Sequence, residues 1–139
     1  MFTTRIYTYL SDDCRSIREQ VFMKEQGFEN EFDQIDQSCT HIVVYDENGA
    51  PIGTGRLFSE NDGEFFIGRV PVLREYRGRK IGLLIISGLE KEAVNQNASS
   101  ISLWAQCRAS GFYEKSGYTA TDQFHDDEGC PHVLMRKEL

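Results

Sequence analysis

One segment constrains this chain more than any other, because it combines a short strand-like run, a turn rich in Arg and Gly, and the start of an apolar helix. The run and the turn occupy residues 69–82, and the apolar residues 83–86 follow at once. The first N–H groups of a helix have no partner inside the helix and can bind phosphate oxygens. We therefore interpret the segment as an anion-binding cradle that suits a nucleotide-like ligand. Its cationic residues are Arg74, Arg77, Arg79 and Lys80.

Two familiar phosphate-binding patterns are absent from this segment. The Walker pattern requires Gly-Lys followed by Ser or Thr, and the dinucleotide fingerprint requires a third Gly with an acidic residue at the end of the next strand. Gly and Arg are also common where surface helices begin, so an ordinary helix start remains an alternative at this point.

Composition limits the remaining possibilities. The chain has 139 residues, of which 40% are hydrophobic and 12% aromatic, so we expect one domain, residues 1–139, folded around a single core. The formal net charge of −7 makes nucleic acid an unfavourable partner, since duplex binding depends on a basic face. The same charge mildly favours a cationic substrate such as an amine.

The sequence also bears on location and on metals. No stretch is apolar for long enough to span a bilayer, and residues 1–6 lack the charged and hydrophobic regions of a secretion signal. We therefore expect no membrane association and a cytoplasmic location. The absence of a Cys-x-x-Cys pair argues against a zinc knuckle, a redox pair and a disulfide framework. We expect no bound metal, and reduced, mostly structural thiols at Cys14, Cys39, Cys107 and Cys130.

Hydrophobic periodicity and turn signals predict the order β-α-loop-β-β-β-α-β-α-β-β, a mixed sheet with helices packed on it. Residues 11–13 form a cap for the first helix, and Asn48-Gly49 marks a hairpin because both positions tolerate positive φ. Residues 27–37 show no clear periodicity, so we expect a loop or a broken helix near the surface. The helix after the cradle is predicted from the apolar residues Leu83, Leu84, Ile86, Leu89 and Val94.

Two motifs resemble the GNAT superfamily of acyl-CoA N-acyltransferases. The residues Arg77-Gly78-Arg79-Lys80-Ile81-Gly82 are similar to the family's pyrophosphate-binding signature, Gln/Arg-x-x-Gly-x-Gly/Ala, with Lys80 where the middle Gly stands. Residues 109–118, Ala-Ser-Gly-Phe-Tyr-Glu-Lys-Ser-Gly-Tyr, resemble the family's segment Ala-x-x-Phe-Tyr-x-Lys-x-Gly-Phe. Further segments resemble the small bacterial ElaA/YjcF-like branch, so the resemblance covers nearly the whole chain. They are residues 21–27, 32–36, His41, 53–57 and 127–132.

The resemblance implies an α/β fold in which a mixed, mostly antiparallel sheet is splayed at the fourth strand and flanked by helices. It implies acetyl-CoA as donor and direct transfer of the acetyl group to a primary amine of an unidentified small molecule or peptide, by a monomer or homodimer. A non-catalytic acyl-CoA-binding sensor or interaction module is the alternative. A purely structural domain, with the cradle disrupted by Lys80, is a third possibility.

The resemblance also implies which residues hold CoA. Pro71 has no N–H, so Val70 and Val72 must supply the backbone donors of the fourth strand to the oxyanion and to the pantetheine amides. Gln106 stands where many relatives carry an Asn that bonds the cofactor, although a strand-end amide that satisfies backbone groups explains it as well. The full expected set is Val70, Pro71, Val72, Arg77, Gly78, Arg79, Lys80, Ile81, Gly82, Gln106 and Tyr113.

Acetyl transfer to an amine needs an acid for the departing thiolate and a base for the amine. Tyr113 is the candidate acid, since the family's Phe-Tyr motif places this hydroxyl near the CoA sulfur; an aromatic pair with Phe112 that caps the core is the alternative. The candidate bases are Glu25, His41 and His132, which we select by their neighbourhood. The near-neutral pKa of imidazole makes the two histidines chemically suitable as well. A water chain is a further possibility, and each of the three side chains could instead be structural.

Two other residue types leave alternatives open. Arg56 could hold a substrate carboxylate or form a buried ion pair with Glu25 or Asp36. A covalent acyl-enzyme on Cys107 or Cys130 is disfavoured, because nothing nearby in the sequence offers a His to activate the thiol.

Overall fold

A computed structural model describes residues 1–29 and 31–139 of the chain. The described residues form seven strands and three α-helices in the order that the sequence predicts. The helices are α1 (Asp12–Arg18), α2 (Ile81–Asn95) and α3 (Ser110–Lys115). The strands are β1 (Thr3–Tyr7), β2 (Thr40–Tyr45), β3 (Pro51–Asn61), β4 (Glu64–Gly68), β5 (Ser100–Gln106), β6 (Thr119–Asp127) and β7 (Cys130–Glu138).

The strands build one sheet in the order β1-β2-β3-β4-β5-β7-β6. Neighbours pair antiparallel except β4 and β5, which run parallel from Glu64 opposite Ser100 to Ile67 opposite Leu103. A parallel pair needs a crossover, and α2 provides it. The parallel pairing ends at Ile67 and Leu103, although β5 itself continues to Gln106.

Helix α2 packs closely on one face of the sheet because β3 carries glycines there. A Cβ at Gly55 would lie 2.6 Å from Cγ2 of Ile85, so only Gly leaves room for the helix. The buried face of α2 is formed by Ile81, Ile85, Ile86, Leu89 and Ala93. Three of the apolar residues that predict this helix are exposed instead: Leu83 is 39%, Leu84 38% and Val94 56% exposed.

Helix α1 covers the opposite face of the sheet. The Ser11 side chain accepts a hydrogen bond from the N–H of Cys14 at 3.2 Å, which confirms the predicted cap. Beyond Arg18 the chain continues as a π-helical stretch, Glu19–Glu25. Ile17 and Val21 pack there in a second apolar cluster, so the apolar face of α1 continues into the π-helical stretch.

The turn and loop predictions are confirmed in part. Gly49 has φ 81°, and the N–H of Asp46 donates to Ala50 across the predicted hairpin. The segment before β2 contains a short 3₁₀ turn, Gln34–Gln37, which fits the expected broken helix. Its place near the surface is only partly right, because Glu31 and Asp36 are buried. Over the described part of the chain, every helix is too short or too polar to cross a membrane.

Candidate active site

A cleft of about 620 Å³ opens where β4 and β5 separate, just beyond the last paired residues, Ile67 and Leu103. Arg69 follows β4 with φ 52°, in the left-handed region that non-glycine residues seldom adopt. This residue turns the chain away from β5, and the two strands cannot resume their pairing. The cleft is thus produced by the backbone at the end of β4.

The extended segment after Arg69 bonds to β3 on one side only. The Pro71 carbonyl accepts from the N–H of Thr54 at 3.2 Å, and the N–H of Leu73 donates to Ile52 at 2.9 Å. Successive backbone groups of an extended segment point in opposite directions, so the N–H of Val72 faces away from β3 and toward the cleft. Within residues 1–29 and 31–139, neither Val70 nor Val72 donates its N–H to an acceptor.

The cradle predicted from the sequence forms the other wall of the cleft. After a 3₁₀ turn at Arg74–Tyr76, Gly78 has φ 82° and Lys80 has φ 64°, and α2 begins directly after Lys80. The first backbone bond into the helix runs from Leu84 to Lys80 at 3.2 Å. In the described structure the N–H groups of Ile81, Gly82 and Leu83 therefore have no acceptor and remain available for an anion.

Lys80 stands where the family's motif has its middle Gly, and it adopts a left-handed conformation that Gly adopts readily. This conformation costs about 1–2 kcal/mol for a residue with a Cβ. The last Gly of the motif has a different reason to be Gly: a Cβ at Gly82 would lie 2.9 Å from Cζ of Phe112. Gly82 thereby lets α3 approach the N-terminus of α2.

The cationic side chains of the cradle divide into two groups. The Arg77 guanidinium donates to both carboxylate oxygens of Glu25, at 2.7 and 2.8 Å, and to the Val72 carbonyl at 2.9 Å. It therefore ties the cradle to the π-helical stretch and to the segment after β4. The Lys80 ammonium is exposed and makes no hydrogen bond or ion pair with any described residue, and Arg79 lies over the Tyr76 ring.

The same ion pair bears on Glu25 as a base. The hydrogen bond from Arg77 lowers the pKa of the Glu25 carboxyl, and the charges of Arg77 and Arg74 act in the same direction. A carboxylate that is held in this way gives up its partners when it takes a proton. The geometry favours a positioning role for Glu25.

Tyr113 lies on α3 and lines the cleft beside the cradle. Its ring packs edge-on against Phe112 at 5.0 Å and Tyr118 at 6.2 Å between centroids. The hydroxyl makes no hydrogen bond to another described residue. Burial raises the pKa of Tyr113 to about 12, so the hydroxyl is fully protonated at neutral pH.

His132 and Gln106 lie opposite each other on β7 and β5, and both line the cleft. Nδ1 of His132 is 2.8 Å from the Cys130 carbonyl oxygen. A carbonyl only accepts hydrogen bonds, so Nδ1 carries the proton and Nε2 of the neutral ring has a free lone pair. The Gln106 amide donates to Gln26 at 3.0 Å and its oxygen accepts from Arg108 at 2.9 Å.

The structure does not bring His41 to the cleft. Its ring is buried on β2, with Nε2 3.0 Å from the Asp36 carbonyl, and burial lowers its pKa. Asp36, Cys39 and His41 place potential metal-ligand atoms within 4.8 Å of one another. Two guanidinium groups already occupy the Asp36 carboxylate, however, and they would repel a cation.

These guanidinium groups belong to a buried cluster beside the cleft. Arg18 donates to Asp36 at 2.6 Å and to Glu31 at 2.7 Å, and Arg56 donates to Asp36 at 3.0 Å and to Asp33 at 2.7 Å. Arg56 thus forms the buried ion pair with Asp36 that the sequence leaves open. Arg69 joins the cluster through Glu31, at 3.3 Å.

Burial alone would raise the pKa of Asp36. The hydrogen bonds from Arg18 and from the Asp33 N–H outweigh it, together with the charges of Arg18 and Arg56, and they lower the pKa to about 2. Asp36 is therefore an anion at neutral pH, and it holds the segment before β2 against the sheet.

Several residues that line the cleft are not among the site residues predicted from the sequence. Alternation along β4 and β5 places Phe66 and Trp104 on the face opposite Ile67 and Leu103, and that pattern is a usable signal for them. Arg18, which lies in the buried cluster beside the cleft and not in its lining, has no such signal, because its partners come from a different segment of the chain. Neither Cys107 nor Cys130 is among the described residues that line the cleft.

Comparison with known proteins agrees with this architecture. A family model for the acetyltransferase (GNAT) domain matches residues 10–139. The uncharacterized protein YyaT of Bacillus subtilis (strain 168) is 39% identical over 132 residues, which cover 91% of this chain and 88% of YyaT. The uncharacterized N-acetyltransferase YjcF of the same organism is 39% identical over 129 residues, which cover 91% of each chain.

The fold is also found among solved structures. The crystal structure of Escherichia coli ElaA matches with a TM-score of 0.85 at 24% identity, covering 99% of this chain and 100% of that chain. The mixed, mostly antiparallel sheet with a parallel β4–β5 pair and flanking helices is the GNAT fold that the resemblance implies, and the expected similarity to the ElaA/YjcF-like branch is confirmed.

Proposed function

Because this chain belongs to the GNAT acetyltransferase family, whose members use acyl-CoA, we propose that it transfers an acetyl group from acetyl-CoA directly to a primary amine of a small molecule or peptide. We propose that residues 1–139 act as one N-acetyltransferase domain. The observation that carries the proposal is the cleft itself, which has unpartnered N–H groups of the described chain on two walls.

The residues present fit CoA. The N–H groups of Ile81, Gly82 and Leu83 and the exposed Lys80 would hold the pyrophosphate at the start of α2. Gly78 and Lys80 supply the positive φ angles that aim these groups outward, and Arg77 fixes the turn through Glu25. The N–H groups of Val70 and Val72 would hold amide and carbonyl oxygens along the cleft. Bound acetyl-CoA would supply the thioester, whose carbonyl carbon accepts the amine and whose sulfur departs.

Residues of this chain fill three roles in the reaction. The Val70 and Val72 N–H groups stabilise the negative charge that develops on the carbonyl oxygen. Nε2 of His132 accepts the proton that the amine loses as the C–N bond forms. The Tyr113 hydroxyl gives its proton to the sulfur as the C–S bond breaks. Gln106 holds Gln26, the residue directly after the π-helical stretch, close to β5 at this end of the cleft.

The other two predicted bases receive no role in the proposed reaction. Glu25 holds Arg77, and His41 is buried against Asp36 outside the cleft. Variants of these two residues are expected to change stability more than the pH profile of turnover.

Binding and turnover test the proposal separately. At acetyl-CoA one hundredfold above its dissociation constant, linkage stabilises the native state by about 2.7 kcal/mol. For a domain of this size the Tm should rise by roughly 5–12 °C. Free thiol should then appear when a panel of primary amines is added with acetyl-CoA. An unchanged Tm at saturating acetyl-CoA would refute the proposal, whereas a raised Tm without thiol release from any amine would indicate the non-catalytic acyl-CoA-binding alternative.

A further inference from the structure

The part of the cleft beyond the cradle has an aromatic floor. Phe58 and Phe66 face each other across β3 and β4, with stacked rings 5.7 Å apart. Trp104 follows on the same face of β5, is 37% exposed and lies against His125 at 4.3 Å. The side chains of Phe58, Phe66, Trp104 and His125 all line the cleft.

Gly68 leaves space in the middle of this floor. Among the described residues beyond its chain neighbours, a Cβ built on Gly68 would have one neighbour within 4 Å, Nε of Arg56 at 3.6 Å. The φ angle of Gly68 lies outside the left-handed region, so the backbone does not require Gly here. The open position is explained by the room it leaves beside Phe66 and Trp104.

The charges around the floor favour a cation over an anion. The charges of Arg56 and Arg69 are both balanced by acidic residues of the buried cluster, and of the Arg56 nitrogens that are buried, Nε alone has no partner among the described residues. Asp127 lines the cleft from the end of β6, and its carboxylate makes no hydrogen bond or ion pair with any described residue. A protonated amine complements this carboxylate, and aromatic faces also attract cations.

We propose that the acceptor is a primary amine with an aromatic ring, which stacks on the floor formed by Phe58, Phe66, Gly68 and Trp104 while Asp127 attracts its ammonium group. This inference rests on the proposed function for the site and names its substrate class. Stacking between aromatic rings contributes beyond the area that it buries and requires a planar partner. A saturated ring of the same size is therefore the matched comparison.

Trp104 gives a readout that does not depend on turnover, because it is the only tryptophan of the chain. Tryptophan emission would be followed while 2-phenylethylamine is added to the protein with CoA present. A saturable change is expected. Cyclohexylethylamine should require about 3- to 10-fold higher concentrations for half-saturation, and spermidine and glucosamine 6-phosphate should bind more weakly still. In the thiol-release assay kcat/KM should follow the same order.

Two variants and one control complete the experiment. Trp104→Ala and Gly68→Val should each raise the KM for 2-phenylethylamine at least about 10-fold, with the Tm shift by acetyl-CoA unchanged. Phe124→Ala is the control, since Phe124 is 66% exposed and lies outside the cleft lining. Phe124→Ala should leave both the KM for 2-phenylethylamine and the Tm shift by acetyl-CoA unchanged.

The outcomes separate the two proposals. Saturable binding of the aromatic amine without thiol release would support the acceptor class and refute catalysis. Thiol release with spermidine or glucosamine 6-phosphate as the best acceptor, or equal kcat/KM for the aromatic and saturated rings, would overturn the acceptor class and leave catalysis standing. Self-association through the floor, seen as a loss of dimer in Trp104→Ala by sedimentation together with no emission change on adding amine, would also overturn it.

Discussion

The two ends of the cleft present different kinds of groups to a ligand. At the cradle end the available groups are backbone N–H groups, set by positive φ at Gly78 and Lys80 and by the start of α2. At the acceptor end they are side chains, an aromatic floor beside a cluster of buried ion pairs. A site made from backbone depends on turn geometry and tolerates changes of side chain. A site made from side chains depends on partners contributed by separate segments, and single substitutions there should have larger effects.

The largest effect is expected where the two ends meet, at Tyr113. Tyr113→Phe removes only the hydroxyl and should lower kcat by about 10²- to 10⁴-fold if this group protonates the thiolate. The KM for acetyl-CoA and the Tm should change little, because the ring contacts with Phe112 and Tyr118 remain. Steady-state thiol release over a pH series measures the effect.

Tyr118→Phe is the matched control for this substitution. The Tyr118 hydroxyl donates to Glu90 at 2.8 Å, outside the described lining of the cleft, so its loss should lower stability but not kcat. Normal turnover by Tyr113→Phe across the pH series would leave solvent or another residue as the acid and would remove Tyr113 from the reaction.

The second prediction concerns a substitution that disrupts the acceptor end alone. Arg18→Met should lower the free energy of unfolding by about 3–5 kcal/mol, since Asp36 and Glu31 would be left buried without their shared partner. Urea unfolding measures this change. Acetyl-CoA should still raise the Tm of whatever folded protein remains, because the cradle does not contact Arg18.

Arg15→Met serves as the control on the same helix, because Arg15 is exposed and its guanidinium lies over Phe32 rather than in an ion pair. Arg15→Met should lower the free energy of unfolding by no more than about 1 kcal/mol. If Arg18→Met proved no more costly than Arg15→Met, the buried cluster would not be what holds the segment before β2.

The third prediction uses pH to probe the same cluster. The pKa of Asp36 is about 2 in the folded protein and 3.8 for an ordinary Asp, so the unfolded chain takes up this proton first as pH falls. The stabilisation is therefore complete above about pH 5 and is lost as pH falls toward 2, which removes about 2 kcal/mol. Glu31, whose pKa is raised by burial, takes up its proton at higher pH and adds no loss in this window.

Urea unfolding at pH 5, 4, 3 and 2 measures this loss of stability. The Asp36→Asn variant should not show the loss, and its free energy of unfolding should be lower than that of the unsubstituted protein at each pH where Asp36 is ionised. The same slope in Asp36→Asn and in the unsubstituted protein would assign the acid sensitivity to other carboxylates, such as Asp33, whose pKa is also lowered.

The smallest effect is expected at Lys80, where backbone and charge can be separated. Lys80→Gly and Lys80→Ala both remove the ammonium, but only Gly relieves the left-handed conformation. The Gly variant should be more stable than the Ala variant by about 1 kcal/mol. Both should weaken acetyl-CoA binding by a similar factor of about 5 or less. Thermal unfolding and acetyl-CoA titration of the two variants measure these quantities.

A much tighter affinity in Lys80→Gly than in Lys80→Ala would show that strain in the turn, rather than the ammonium, limits the cradle. Loss of binding in both variants would instead show that the charge dominates and that this end of the cleft is not chiefly a backbone site.

The same contrast explains what could be predicted from the sequence. The cradle is contiguous, and its glycines and cations stand at fixed spacing, so residues 77–82 indicate the site by their pattern alone. The order of the strands along the chain, the hairpin at Asn48-Gly49 and the cap at Ser11 follow from local signals in the same way.

The acceptor end has no contiguous signal. Arg18, Asp36 and Arg56 are buried only because each neutralises another, and the sequence does not state which charges will meet. The exposure of Leu83, Leu84 and Val94 has a related origin, since the buried face of α2 is chosen by Gly53 and Gly55 on β3 rather than by the helix itself. Tertiary partners decide these features.

The parallel pairing of β4 with β5 has a consequence for the order of folding. The pairs β2–β3, β3–β4 and β6–β7 join strands that follow one another through short turns, whereas Glu64 reaches Ser100 only across the whole of α2. Contacts with a large loop-closure cost form late along the folding path. The walls of the cleft should therefore be incomplete in the transition state, and a ligand bound between them should slow unfolding while leaving the refolding rate unchanged.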